Sequence, residues 1–156
     1  MGKNQRGKFI VLDGIDGSGK GTLVKLLTDY LFDLNKRNHI LLTREPYNSE
    51  FHDEIRRLLK EGASPKDNAE ILTELFVKDR VVHAKLINEL LDKGVYIVCD
   101  RYKYSTFAYQ QAQGISLDKL LQMHKGILIP NLTIIIDVPV DTALERISQD
   151  ANRSHL

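Results

Sequence analysis

Nine residues, GIDGSGKGT from Gly14 to Thr22, follow directly on the apolar run KFIVLD. Gly14, four further residues, then Gly19 and Lys20 give the spacing of a loop that cradles phosphate. Glycines let the chain turn tightly enough for successive N–H groups to face one anion. A helix starting at Lys20 adds the positive end of its dipole, and the lysine adds a point charge for the outer phosphates. The loop as a whole (Gly14, Ile15, Asp16, Gly17, Ser18, Gly19, Lys20, Gly21, Thr22) is the candidate phosphate site of a nucleotide. One position departs from the pattern. Gly21 stands where a serine or threonine would meet Mg²⁺, and the hydroxyl comes one residue later, at Thr22.

Three other segments carry side chains suited to anion chemistry: TREP (43–46), LFVKDRVVH (75–83) and DRYKYSTFAYQ (100–110). Transfer of a phosphoryl group between two phosphorylated molecules needs cations around both and little free water. Arg101 follows an apolar run and precedes a helical pattern, so it can reach the centre of a crevice. Asp100 beside it can position a metal or water, or the two can form a plain structural ion pair. Phe76 and Arg80 lie four apart, on one helix face. By spacing alone Phe76 reads as core, whereas Arg80 needs an acceptor. Asp16 reads either as a ligand-facing carboxylate or as a solvated loop acid.

These segments need elements to hold them. Lys8–Asp13 reads as a strand stopped by Gly14, and Lys20 to about Asn35 as an amphipathic helix. HILLT (39–43) is a second strand, 49–61 a helix and EGASPKD a loop. A long helix is expected from Asn68 to Lys93, stopped by Gly94. Strands are expected at 95–100, read as fully buried, and at 132–138, read as buried. Helices are expected over 102–113, from 117 to about 125 capped by Ser116, and from VDTALERISQD onward. Alternating strands and helices with non-alternating apolar strands argue for an α/β domain, a parallel sheet with helices on both faces. Its ligand crevice would lie at the carboxyl ends of the strands.

Composition excludes several classes. The chain has 156 residues with 22 Lys plus Arg against 21 Asp plus Glu, a balance that gives no general nucleic-acid or membrane surface. The longest apolar stretch is broken by Pro130, Asn131 and Asp137, and the N-terminus lacks the pattern of a secretory signal. Cys99 is the single cysteine, which excludes an intrachain disulfide and suggests a reducing compartment such as the cytoplasm.

From about Lys8 to Arg146 the chain resembles the thymidylate kinase family. GIDGSGKGT, TREP, LF…DR, DRY…S…AYQ and PNLTIIIDV…ALERI occur in that family's order and approximate spacing. The resemblance implies a P-loop nucleoside monophosphate kinase fold and transfer of phosphate from ATP, with Mg²⁺, to thymidine monophosphate (dTMP). It implies catalytic roles for Lys20, Asp100, Arg101 and Asp16, and metal contacts from Thr22 and Asp100. It implies an acceptor site of Asp16, Arg44, Phe76, Arg80, Arg101, Ser105, Tyr109 and Gln110. In it Arg44 and Arg101 meet the phosphate, Phe76 stacks on the base, Arg80 hydrogen-bonds it, and Ser105 and Gln110 lie nearby. Tyr109 disfavours a ribose 2′-hydroxyl. The resemblance also implies a cis bond before Pro46 and a homodimer.

In the dimer reading, Val77, Val81 and Val82 extend the buried stripe of the long helix. Relatives continue into a basic lid, an adenine-binding segment and a final strand. Residues 1–156 are therefore expected to be one kinase domain with the lid and last strand absent or incomplete. Arg153 is the one lid-type basic residue, and Arg146 is expected to cap or pair on its own helix. GKGT is similar to the spelling in adenylate kinases, which keeps open a kinase of another nucleotide or of a deoxynucleoside. A non-catalytic nucleotide-binding module is the reading from a different class.

Overall fold

The computed structural model describes residues 5–60 and 68–153, with side chains to residue 149. EGASPKD (61–67), expected to be a loop, lies outside the described residues, as does the Arg153 side chain. In chain order the elements are β1 (Phe9–Gly14), α1 (Lys20–Leu34), β2 (Ile40–Arg44), α2 (His52–Lys60) and α3 (Ala69–Asp92). Then come β3 (Tyr96–Asp100), α4 (Lys103–Ala112), α5 (Leu117–Met123), β4 (Leu132–Ile136) and α6 (Val140–Arg153). Two expected punctuation marks are in place. Gly94 follows α3 with φ 84°, and the Ser116 hydroxyl accepts from the backbone of Lys119 to cap α5.

The four described strands form a parallel sheet in the order β2-β3-β1-β4. Alternation along β1 sends Phe9 and Val11 to one face and Ile10 and Leu12 to the other. Phe9 and Val11 join Ile87, Leu91, Ile97, Cys99 and Tyr102, so α3 closes that side. Ile10 and Leu12 join Val24 and Val98, with Leu27 and Leu31 beside them, so α1 closes the opposite side. Burial on both faces is why β1 and β3 read as unbroken apolar runs.

From β1 the chain goes out to one flank for β2 and β3 and to the other for β4. The strand order reverses at β1, the place where such sheets open a crevice. Register brings the chemistry there: Arg44 lies opposite Asp100, and Asp100 opposite Leu12. The phosphate loop leaves β1 at the same edge.

Two expectations are corrected. LTIIIDV is not a buried strand, since Leu132, Ile134 and Ile135 are 51%, 37% and 57% exposed. β4 pairs with β1 on one side only, and among the described residues no helix packs extensively against it. Val81 does not extend a buried stripe on α3. It is 53% exposed, as Ile71 is at 52%, because α3 meets the sheet through Ile87 and Leu91 on another face.

Candidate active site

Ser18 and Lys20 are buried within the phosphate loop, which closes against α6. Gly17 has φ 75°, and a Cβ placed there would come within 2.3 Å of the Ala143 carbonyl oxygen, so only glycine fits. Gly19, at φ 91°, turns the chain into α1. The Lys20 ammonium donates to the Ile15 carbonyl at 2.7 Å and reaches the Ser18 hydroxyl at 3.4 Å. Burial lowers its pKa, the neighbouring Arg101 charge lowers it further, and Asp100 and Asp16 oppose the shift. That ammonium is short of anionic partners.

Where β3 ends, Arg101 adopts φ 68°, the single described non-glycine residue with positive φ. For an arginine this costs about 1 kcal/mol. Its backbone N–H still donates to Leu12, while the turn sends the side chain across to the loop. The guanidinium donates to the Gly14 carbonyl, to the Ser105 hydroxyl at 2.7 Å and to Asp16. Asp16 also accepts from the Tyr109 hydroxyl at 3.1 Å, and the Arg101 guanidinium lies 5.8 Å from the Tyr109 ring centre. Asp13 holds this arrangement from below. Its buried carboxylate accepts from Gly14 N, Tyr102 N, Ser105 N and the Ser105 hydroxyl, locking the loop start to the first turn of α4.

Two cavities meet at this turn. A polar one of about 770 Å³ is lined by the loop residues Asp16, Gly17, Gly19, Lys20, Gly21 and Thr22, together with Arg44, Asp100 and Arg101. A less polar one of about 310 Å³ is lined by Pro46, Leu72, Phe76, Arg80, Tyr109 and Gln110, among others. Asp16, Glu45 and Arg101 belong to both, so they form the shared wall. Gly14 and Ile15 lie in the loop but line neither cavity. Phe76 is half-buried at the cavity wall, which corrects the core reading from spacing alone. Gln110 is buried and donates to the Ala69 carbonyl and to Gln113.

Arg80 also finds its acceptor, but within the protein. Nε donates to Glu45 at 2.6 Å, Nη1 to His124 Nε2 at 2.5 Å, and Nη2 to Thr106 and the Tyr102 carbonyl. Glu45 in turn meets His83 at 3.1 Å. His83 reaches Thr43 and stacks on Tyr47 at 4.4 Å. The Glu45–Pro46 bond is cis, as the resemblance implied.

Asp13, Glu45, His83, Thr106 and His124 escaped the sequence reading. Only Asp13 and Glu45 left a signal: an acid closing an apolar strand, and an acid beside Arg44. Arg146 is a further correction. Instead of pairing on α6 it donates to the Gly17 carbonyl at 3.2 Å, and with Gln149 it borders the loop's outer side.

A cation has a place in the polar cavity. Asp100 Oδ1 is buried with no hydrogen-bond partner among the described residues, and Asp100 lines that cavity with Thr22. No group of three or more His, Cys, Asp or Glu among the described residues is placed to hold a metal ion by itself, so water and phosphate would complete the shell. That suits Mg²⁺. Among the same residues, no helix is long and apolar enough to cross a membrane.

The family described as thymidylate kinase matches residues 12–155. A probable thymidylate kinase of Pyrococcus horikoshii is 45% identical over 148 residues, covering 91% of this chain and 70% of that protein. A thymidylate kinase of Desulfotalea psychrophila is 36% identical over 146 residues, covering 93% and 70%. The crystal structure of thymidylate kinase from Ehrlichia chaffeensis superposes with a TM-score of 0.74 at 33% identity, covering 92% of this chain and 83% of that one.

Proposed function

The chain belongs to the thymidylate kinase family, and we propose that it transfers the γ-phosphoryl group of ATP to dTMP, giving the diphosphate and ADP. The observation that carries this reading is the pair of cavities meeting at Arg101 and Asp16. One is lined by phosphate-binding backbone and cations. The other is smaller and less polar, suited to a base and deoxyribose.

Donor phosphates sit on the N–H groups of residues 14–22, where the Lys20 ammonium exchanges the Ile15 carbonyl for an anion. Arg101 and Arg44 hold the acceptor phosphate on the side facing the donor. An acceptor phosphate oxygen attacks the γ-phosphorus while the bond from that phosphorus to the bridging oxygen breaks. Lys20 and Arg101 neutralise charge that spreads over the transferred group. Thr22 and Asp100 would hold Mg²⁺, which when bound neutralises and orients the donor phosphates. Asp16 and Tyr109 stand where the sugar passes the shared wall, and Phe76 and Arg80 meet the base.

A cytoplasmic homodimer belongs to the same reading. Free, buried Cys99 supports the compartment, and the exposed Ile71 and Val81 on α3 support an interface. We take residues 1–156 as a single kinase domain. The test is turnover with ATP and each of dTMP, uridine monophosphate and thymidine as acceptor. Diphosphate from dTMP in preference to the other two supports the reading, and no dTMP turnover refutes it. Turnover of thymidine alone would select a nucleoside kinase.

A further inference from the structure

His124 closes α5, and its ring meets Arg80, which lines the less polar cavity. It is 7% exposed and lies edge-on to Phe107 at 4.9 Å. Nδ1 lies 2.7 Å from the Leu120 carbonyl, which can only accept, so Nδ1 carries the proton. Nε2 then has a lone pair, and that lone pair meets Arg80 Nη1 at 2.5 Å. Glu45, Thr106 and the Tyr102 carbonyl take three more of the five N–H groups of Arg80. Among the described residues, one N–H on Nη1 is left uncommitted, on a guanidinium that borders the cavity.

We propose that His124 is a positioning residue for base recognition: its Nε2 fixes Arg80 so that one remaining Nη1 proton serves the acceptor's base. This rests on the function proposed above. Without the Nε2 acceptor, Nη1 has two unpaired protons in a buried setting and the guanidinium can rotate towards the empty partner position. A base carbonyl would then meet a donor that is no longer pre-aimed. Charged and titratable groups facing the ring are Arg80, Glu45 and Lys103. Burial, then the Arg80 charge, pushes the imidazole pKa down to about 4, in keeping with a ring that accepts at Nε2 near neutral pH.

The test compares the unaltered chain with His124→Leu, which removes the acceptor, and His124→Gln, whose carboxamide oxygen can stand near the Nε2 position. His124→Leu should raise KM for dTMP about tenfold, leave KM for ATP within about twofold, and narrow the preference for dTMP over cytidine monophosphate. His124→Gln should restore most of the dTMP KM. An unchanged dTMP KM in a folded His124→Leu protein, or both KM values rising together in both variants, overturns the proposal. Nitrogen NMR of the imidazole in the unaltered chain is an independent check that needs no variant to fold. A proton held on Nδ1 from about pH 5 to about pH 8 supports the proposal, and titration near 6.5 or a proton on Nε2 overturns it. If the unaltered chain does not phosphorylate dTMP, the function reading itself fails. Normal dTMP turnover with no effect of His124→Leu removes His124 alone.

Discussion

Two buried cations, Lys20 and Arg80, lie on opposite sides of Glu45 and Arg101 and are held in opposite ways. Lys20 borrows a backbone carbonyl and a distant hydroxyl, and its pKa is lowered by burial. Arg80 has a carboxylate, an imidazole, a hydroxyl and a carbonyl, with its own aromatic platform in Tyr102 at 5.2 Å. The difference separates two jobs. A cation whose partners are weak can turn to an incoming phosphate at little cost. A cation whose donors are nearly all matched cannot move, and so can read shape and polarity.

The sharpest way to break this contrast is to strip the matched side. Glu45→Ala leaves the Arg80 guanidinium buried beside an empty carboxylate position, and should destabilise the fold by about 3–5 kcal/mol in urea unfolding. Lys20→Met should do the reverse. Turnover should fall about 10²–10³-fold, whereas stability stays level or rises, because a desolvated ammonium is gone. A large stability loss in Lys20→Met, or little loss in Glu45→Ala, would erase the distinction.

A smaller effect is expected with pH. The His124 pKa is depressed to about 4 in the fold, so the unfolded chain takes up a proton first as pH falls below its ordinary value near 6.5. Stability from this group is therefore present above about 6.5 and lost by about 4, a change on the order of 3 kcal/mol. His124→Gln should lack that share of the acid slope, read as the difference between the two unfolding curves. Gly21 gives the smallest effect. A Cβ there would meet nothing within 4 Å, so Gly21→Ala should stabilise the first turn of α1 by about 0.5–1 kcal/mol.

The two sides also differ in how much of each is legible in the sequence. Gly14, Gly19 and Lys20 announce themselves because their interactions are local, set within a few residues of one turn. The strands were legible for a similar reason, as apolar runs stopped by glycine or a charged residue. Arg80 and His124 are 44 residues apart, and nothing within either α3 or α5 indicates that they meet. The apolar run of β4 shows side-chain type, whereas its exposure depends on which neighbours lie beside and above it. The same holds for Arg146, since only the approach of α6 to Gly17 turns it towards the phosphate loop.

Whether Arg101 joins a phosphate site to a nucleoside site can be read by calorimetry. Titrating dTMP and thymidine into the unaltered chain and into Arg101→Ala isolates the phosphate's share of binding. If Arg101 joins the two sites, dTMP binds at least about tenfold more tightly than thymidine, with most of that preference lost in Arg101→Ala and thymidine affinity little changed. Equal affinity for the two ligands, or a preference that survives the substitution, would contradict that role.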